Sequence, residues 1–284
     1  MPQPLPLWQH LEAVLQRCRA SARCAVFLDY DGTLTPLVTD PAAARLSPVT
    51  RQVLAALLHH PRYQVAIVSG RTLRDLQAHV ADLTLYLAGN HGLEIAGPGL
   101  AYCHPEALRL QPQVQALAEV LQPELATVPG AWVEEKGLTL TVHMREVPAP
   151  YVPLVQRRMV RLLRPAIAAR VFVLRTGKAV VEIQPAVKWD KGEAVHWIVD
   201  HMRLGRPAPD VFPVYIGDDE TDEEAFRALG VAGCGIRVGS ECPYSAAHYY
   251  VESVEQTTEF LAVLSGLGWP LGRGGARDTP AWLN

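Results

Sequence analysis

Four short apolar runs, at residues 24–28, 63–68, 83–88 and 211–216, alternate with amphipathic stretches, and that alternation restricts the fold more than any other feature of the chain. Each run reads as a buried strand. Between them, residues 8–19 place Trp8, Leu11, Val14 and Leu15 at helical spacing, and residues 47–59 carry Pro48 just inside a helix start. Residues 72–80 and 191–202 also read as helices. Strands alternating with helices predict an α/β fold with a parallel, doubly wound, Rossmann-like sheet. The runs end in Asp29-Tyr30-Asp31-Gly32-Thr33, Ser69-Gly70-Arg71, Gly89-Asn90-His91-Gly92-Leu93-Glu94 and Gly217-Asp218-Asp219. Sheets of this kind bind ligands at the carboxyl ends of their strands, so these four segments are brought to one edge.

The alternation is interrupted after residue 97. Residues 97–105 read as a linker, residues 131–145 alternate as one strand, residues 153–169 as a helix, and 171–174 pairs with 179–183 across Arg175-Thr176-Gly177-Lys178 as a hairpin. This describes a small α+β insertion. The chain of 284 residues is therefore divided into a discontinuous core at 1–103 and 186–267, a cap at 104–185, and a tail at 268–284 rich in Gly, Arg and Pro.

A formal charge of −3, without clustered Lys and Arg, argues against a nucleic-acid partner. No apolar run approaches membrane-spanning length, and the first residues lack the pattern of a secretory leader. Five cysteines without a CxxC pair read as free thiols in a reducing, cytoplasmic setting.

Two acids at one strand end, Asp29 and Asp31, repel each other unless a cation or an incoming phosphate is present. A carboxylate such as Asp29 is ionised at neutral pH and needs no base to act as a nucleophile, but it must approach a phosphate dianion. Asp218 and Asp219 offer hard oxygen ligands for Mg²⁺, and Lys191 offers fixed positive charge. The Ser69 hydroxyl and amide are suited to a phosphoryl oxygen, and Asp31 to proton transfer with the leaving oxygen and then with water. Taken singly, the acids from Asp218 to Glu224 also fit a dipole-favoured helix start, Ser69-Gly70 an ordinary strand-to-helix turn, and Lys191 a surface lysine. Their ordered set carries the chemical reading.

Together DYDGT, VSGR, the DKG around Lys191 and GDDETD resemble the four ordered motifs of the haloacid dehalogenase superfamily, and the insertion is similar to its C2-type cap. The resemblance implies Asp29 as nucleophile, Asp31 as general acid/base, and Asp29, the Asp31 carbonyl and Asp218 as Mg²⁺ ligands, with Asp219 and Asp222 as supporting acids. GNHGLE at 89–94, VEEKGLTLTVHMR at 133–145, GKAVVEIQP at 177–185 and KWDKGEAV at 188–195 resemble trehalose-6-phosphate phosphatases more narrowly. That likeness implies that Glu134, Lys136 and Glu182 grip sugar hydroxyls, with Thr33, Ser69, Gly70, Arg71, His91, Glu94 and Arg145 as further substrate contacts. Period-two spacing places Glu134 and Lys136 on one strand face, whereas Arg145 has the opposite parity and reaches the site only across a bulge at Gly137. Glu134, Lys136 and Glu182 also fit cross-strand ion pairs on an exposed sheet, the substrate role being the one adopted, whereas His91 and Arg71 read equally as residues satisfied within the hinge. Gln184 stands where the family commonly has Arg.

The expected activity is Mg²⁺-dependent hydrolysis of trehalose 6-phosphate through an aspartyl-phosphate. Sucrose-phosphate or mannosyl-3-phosphoglycerate phosphatase activity, and a non-catalytic sugar-phosphate-binding module, are the alternatives. The expected ligand is a small sugar phosphate, and the chain is read as a monomer, with a trehalose-6-phosphate synthase as a conceivable associate.

Overall fold

The computed structural model describes residues 3–38, 41–177, 179–203, 210–240 and 244–267. The tail at 268–284, Cys242 and Lys178, a residue of the expected turn, lie outside them. In chain order the strands are β1 (Leu5–Pro6), β2 (Arg23–Leu28), β3 (Tyr63–Val68), β4 (Tyr86–Gly89), β5 (Glu94–Gly97), β6 (Leu100–Cys103), β7 (Trp132–Glu135), β8 (Leu140–His143), β9 (Phe172–Gly177), β10 (Val180–Pro185), β11 (Val211–Gly217), β12 (Cys234–Val238) and β13 (Tyr249–Val251). The α-helices are α1 (Leu11–Ala20), α2 (Pro48–His59), α3 (Leu73–His79), α4 (Pro105–Ala126), α5 (Val152–Ala168), α6 (Lys191–Met202), α7 (Asp222–Leu229) and α8 (Val254–Ser265).

Among the described residues nine strands form one sheet in the order β1-β13-β12-β11-β2-β3-β4-β5-β6. The sheet is parallel from β1 to β4, as the alternation predicts. Its far edge is not: β4, β5 and β6 pair antiparallel. The segment expected to be a linker thus contributes the end of β5 and all of β6, because Gly97 and Gly99, the latter at φ +69°, let the chain reverse. The strand expected at 83–88 begins only at Tyr86.

Strand parity divides the core. Cys24, Val26 and Leu28 of β2 face a cluster shared with Val14, Leu54 and Phe260, from α1, α2 and α8. Ala25 and Phe27 face the opposite side, packing with Ile198 of α6 and Phe226 of α7. Both faces are therefore covered, each fully buried large side chain contributing about 1.5–3 kcal/mol. The layers hold β2 and β11 rigid where strand order reverses direction. β2 continues to β3 on one side and meets β11 on the other, which opens a crevice at their carboxyl ends.

The four-stranded sheet β7-β8-β10-β9 is antiparallel, backed by α4 and α5. Its own core contains Val133, Leu140, Val142, Val181 and Ile183 packed on Leu121, Val155 and Leu163. The expected single strand over 131–145 is in fact two, β7 and β8. Gly137, at φ +76°, makes the reversal, closed by Lys136 N–H donating to the Thr139 carbonyl at 3.0 Å. The β9–β10 hairpin pairs Gly177 with Val180, so Arg175, Thr176 and Gly177 lie within β9 and not in the turn.

Candidate active site

A cleft of about 1010 Å³ lies between the carboxyl edge of the large sheet and one face of the small one. On its floor Asp29 follows β2, Ser69 follows β3, and Asp218 and Asp219 follow β11. Lys191 comes in from the first turn of α6, whose N-cap Asp190 accepts from Glu193 N–H at 3.0 Å. Gly192 allows α6 to press against α7, since a Cβ there would meet Ala228 Cβ and the Glu224 carbonyl, each at 2.8 Å. That close packing carries Lys191 to 1% exposure.

Lys191 Nζ donates to Asp29 Oδ1 at 3.0 Å and to Asp222 Oδ1 at 2.8 Å, with Asp219 Oδ1 at 3.9 Å. Burial alone would lower the Lys191 pKa, but Asp222 and Asp29 more than offset it and raise it well above the ordinary lysine value. Burial pushes the Asp29 carboxyl well above its ordinary value, Lys191 opposes this, and Asp222 and Asp219 add to the rise. The nucleophilic charge expected at Asp29 therefore depends on nearby cations, a condition that an isolated carboxylate would not impose.

Asp222 is committed to the protein. Besides Lys191 it accepts from the Tyr215 hydroxyl at 2.7 Å and from Asp219 N–H at 2.9 Å, and burial holds its pKa up at about 6. Asp219 accepts from Thr221 N–H and Oγ1–H and from Asp222 N–H, which fixes the start of α7. Arg237, at the end of β12, donates to the carbonyls of Asp218 at 2.7 Å and Asp219 at 3.3 Å. The sequence reading missed Arg237, and its only local signal is one charged residue inside an apolar strand.

Carboxylate oxygens of Asp29, Asp218 and Asp222 approach within 4.8 Å of one another. Of these, Asp29 and Asp218 line the cleft. Gly32, at φ +86°, keeps the backbone against Asp218, because a Cβ there would overlap that carboxylate. A tight set of hard oxygen donors beside a close-approaching backbone fits a small divalent cation such as Mg²⁺.

Asp31 is gripped by Arg71, whose Nε and Nη2 donate to Oδ2 and Oδ1 at 2.6 and 2.7 Å. Arg71 also donates to Asp75 Oδ2 and to the Pro41 carbonyl. The guanidinium is thus directed to the protein, although it borders the cleft. The Ser69 amide is likewise taken, donating to the Ala88 carbonyl at 2.9 Å in the continued ladder of β3 and β4, and its hydroxyl oxygen accepts from Arg71 N–H at 3.2 Å where Ser69 borders the cleft. Thr33 is fully buried, and Glu94 accepts from Leu73 N–H and Asn90 Nδ2, so neither borders the cleft.

The roof is one face of the small sheet, set by period-two alternation. Trp132, Glu134, Thr141, His143, Arg175, Val180 and Glu182 line the cleft, while Val133, Val142 and Val181 turn to the core behind. Lys136, just past β7, donates from Nζ to the Gly70 carbonyl at 3.1 Å and lies 3.7 Å from Glu182 and 3.9 Å from Glu134. His91 Nε2 is 2.7 Å from Glu182 Oε2, packed so closely on Gly70 that a Cβ there would meet its ring at 2.8 Å. Burial works against the Glu182 charge, but His91, Lys136 and Gln184 outweigh it and hold its pKa at about 2. Gln184 Nε2 donates to Glu182 Oε2 at 2.8 Å, so it serves as a neutral support for that carboxylate. Arg145 borders the cleft and donates to the Val38 carbonyl at 2.9 Å, the β7–β8 reversal at Gly137 having cancelled its parity mismatch. Asn90, also missed in the sequence, accepts from Thr139 Oγ1 at 2.8 Å and donates to the Lys136 carbonyl, joining the two sheets' loops.

The trehalose-phosphatase family model matches residues 27–255. Trehalose-phosphate phosphatase of Mycobacterium ulcerans (strain Agy99) is 35% identical over 249 residues, covering 86% of this chain and 62% of that protein. Trehalose-phosphate phosphatase B of Arabidopsis thaliana is 33% identical over 247 residues, covering 83% and 64%. The chain therefore spans just under two thirds of the length of these curated relatives. The structure of the C-terminal domain of C. albicans trehalose-6-phosphate phosphatase superposes with a TM-score of 0.78 at 25% identity, over 93% of this chain and 99% of that one. The family match begins inside β2, ahead of Asp29, and runs through both sheets into α8, so the chain belongs to the trehalose-phosphatase family.

Proposed function

We propose that this protein is a Mg²⁺-dependent phosphatase that hydrolyses trehalose 6-phosphate to trehalose and phosphate through an aspartyl-phosphate on Asp29. The observation that carries the reading is the buried contact between Lys191 and Asp29, on the floor of a cleft roofed by Glu134, Lys136 and Glu182. Asp29 and Asp218, with the Asp31 carbonyl, would hold Mg²⁺, which when bound supplies positive charge against the phosphoryl oxygens. Lys191 offsets the charge of Asp29 and lowers the repulsion to an incoming phosphate. Asp29 attacks phosphorus, and Asp31 gives a proton to the departing sugar oxygen and later takes one from the attacking water. Ser69 Oγ holds a phosphoryl oxygen. The roof carboxylates and Lys136 receive sugar hydroxyls, and the cleft excludes bulk water during transfer.

Phosphate release should be measured over a panel of sugar phosphates, with and without Mg²⁺. Preference for trehalose 6-phosphate that is lost on chelation supports the reading, and preference for sucrose 6-phosphate or mannosyl-3-phosphoglycerate replaces its substrate. Asp29→Asn should abolish turnover in a folded protein; full activity in that variant would sink the mechanism.

A further inference from the structure

Trp132 takes no part in the contacts assigned above. It opens β7 on the same face as Glu134 and borders the cleft, yet it is 47% exposed. Its indole is not loose. The ring lies flat on the His143 imidazole, its partner across β7 and β8, with centroids 3.8 Å apart and planes 3° from parallel. His143 Nε2 is 2.8 Å from Glu134 Oε2, which fixes the imidazole in turn. An aromatic surface this exposed, but held in one orientation, is prepared for a flat apolar partner.

Position along the strand identifies that partner. Lys136 touches the Gly70 carbonyl beside the catalytic floor, Glu134 comes next, and Trp132 lies two residues, or about 7 Å, beyond Glu134. That is one sugar ring further from the phosphate end. The same roof holds a second sign of an incoming ligand. Thr141, opposite Glu134, is 2% exposed and borders the cleft, and its hydroxyl has no hydrogen-bond partner among the described residues. A buried hydroxyl left unpaired is costly, and a sugar hydroxyl would satisfy it.

We propose that Trp132, held by His143, is the stacking platform for the sugar ring distal to the phosphate, and so determines preference for a disaccharide phosphate over a monosaccharide phosphate. A pyranose presents C–H groups on its ring faces and hydroxyls at its rim, which suits an indole beside Glu134 and Thr141. The assignment rests on the disaccharide-phosphate reading made above.

The test is the ratio of kcat/KM for trehalose 6-phosphate to that for glucose 6-phosphate, in wild type, Trp132→Ala, Trp132→Leu and Trp132→Phe. Loss of one aromatic packing contact should lower the ratio roughly 3- to 10-fold in the Ala variant, mainly through KM for the disaccharide. The Leu variant, which keeps volume without a ring, should show the same fall, and the Phe variant should recover most of the ratio. A wild-type ratio retained in both Ala and Leu variants would overturn the platform alone. A wild-type enzyme without preference for the disaccharide would overturn the substrate reading and the platform together.

Discussion

Arg71 holds Asp31 through the Nε–Nη2 edge of its guanidinium, at 2.6 and 2.7 Å, while its remaining donors reach Asp75 and the Pro41 carbonyl. The residue assigned to proton transfer is therefore fixed by a planar fork anchored in α3 and in the loop after β2. Arg71→Lys keeps the charge and loses the fork, so Asp31 gains rotational freedom. The expected outcome is a fall in kcat on the order of 10- to 100-fold, part of what a positioned acid/base contributes. Phosphate-release kinetics beside a thermal melt check it, and a kcat within twofold of wild type would refute the positioning.

Lys191 is a buried cation shared by two buried acids. Lys191→Met leaves Asp29 and Asp222 without it, at a cost of roughly 3–5 kcal/mol near pH 8. Both acids are already pushed up by burial, Asp222 to about 6, and removing the cation moves them further in the same direction. An acid whose pKa is raised on folding binds extra protons in the folded state, so its stability is lost as pH rises through the folded value. The variant should thus lie closest to wild type near about pH 5 and furthest near about pH 8. Urea midpoints at both values decide this.

The floor was legible because its signals are local. An apolar run, a glycine and a carboxylate within a few residues specify a strand end, and parallel order then gathers Asp29, Ser69 and Asp218. What escaped depends on distant partners. Nothing near Arg71 in the chain announces Asp31, forty residues earlier, nor does Asn90 announce Thr139. The stretch 131–145 alternates on both sides of Gly137, and only a positive φ at that glycine shows that one strand has become two.

Glu182 has its pKa held at about 2, with burial opposed by His91, Lys136 and Gln184. A depressed folded value adds stability that is complete above the unfolded carboxyl range and is lost as pH falls. Glu182→Gln removes that contribution. Wild type should exceed the variant in urea resistance above about pH 4.5, and the gap should close as pH is lowered toward about 2. A gap that stays constant over that interval would show that the ion pairs on the roof add no net stability.

Gly32 meets two constraints at once. Its φ of +86° is one that side-chain-bearing residues rarely adopt, and its missing Cβ leaves room for the Asp218 carboxylate. Gly32→Ala should therefore cost roughly 1–3 kcal/mol in backbone strain and also displace Asp218 from Asp29. The two effects separate in measurement, because strain appears in the melting temperature without Mg²⁺, whereas displacement appears as a weaker shift when Mg²⁺ is added. Destabilisation of the metal-free protein together with loss of most of the Mg²⁺-induced shift is expected. An alanine variant that kept the full shift would show that Asp218 can hold the cation from another position, and that the glycine serves the turn alone.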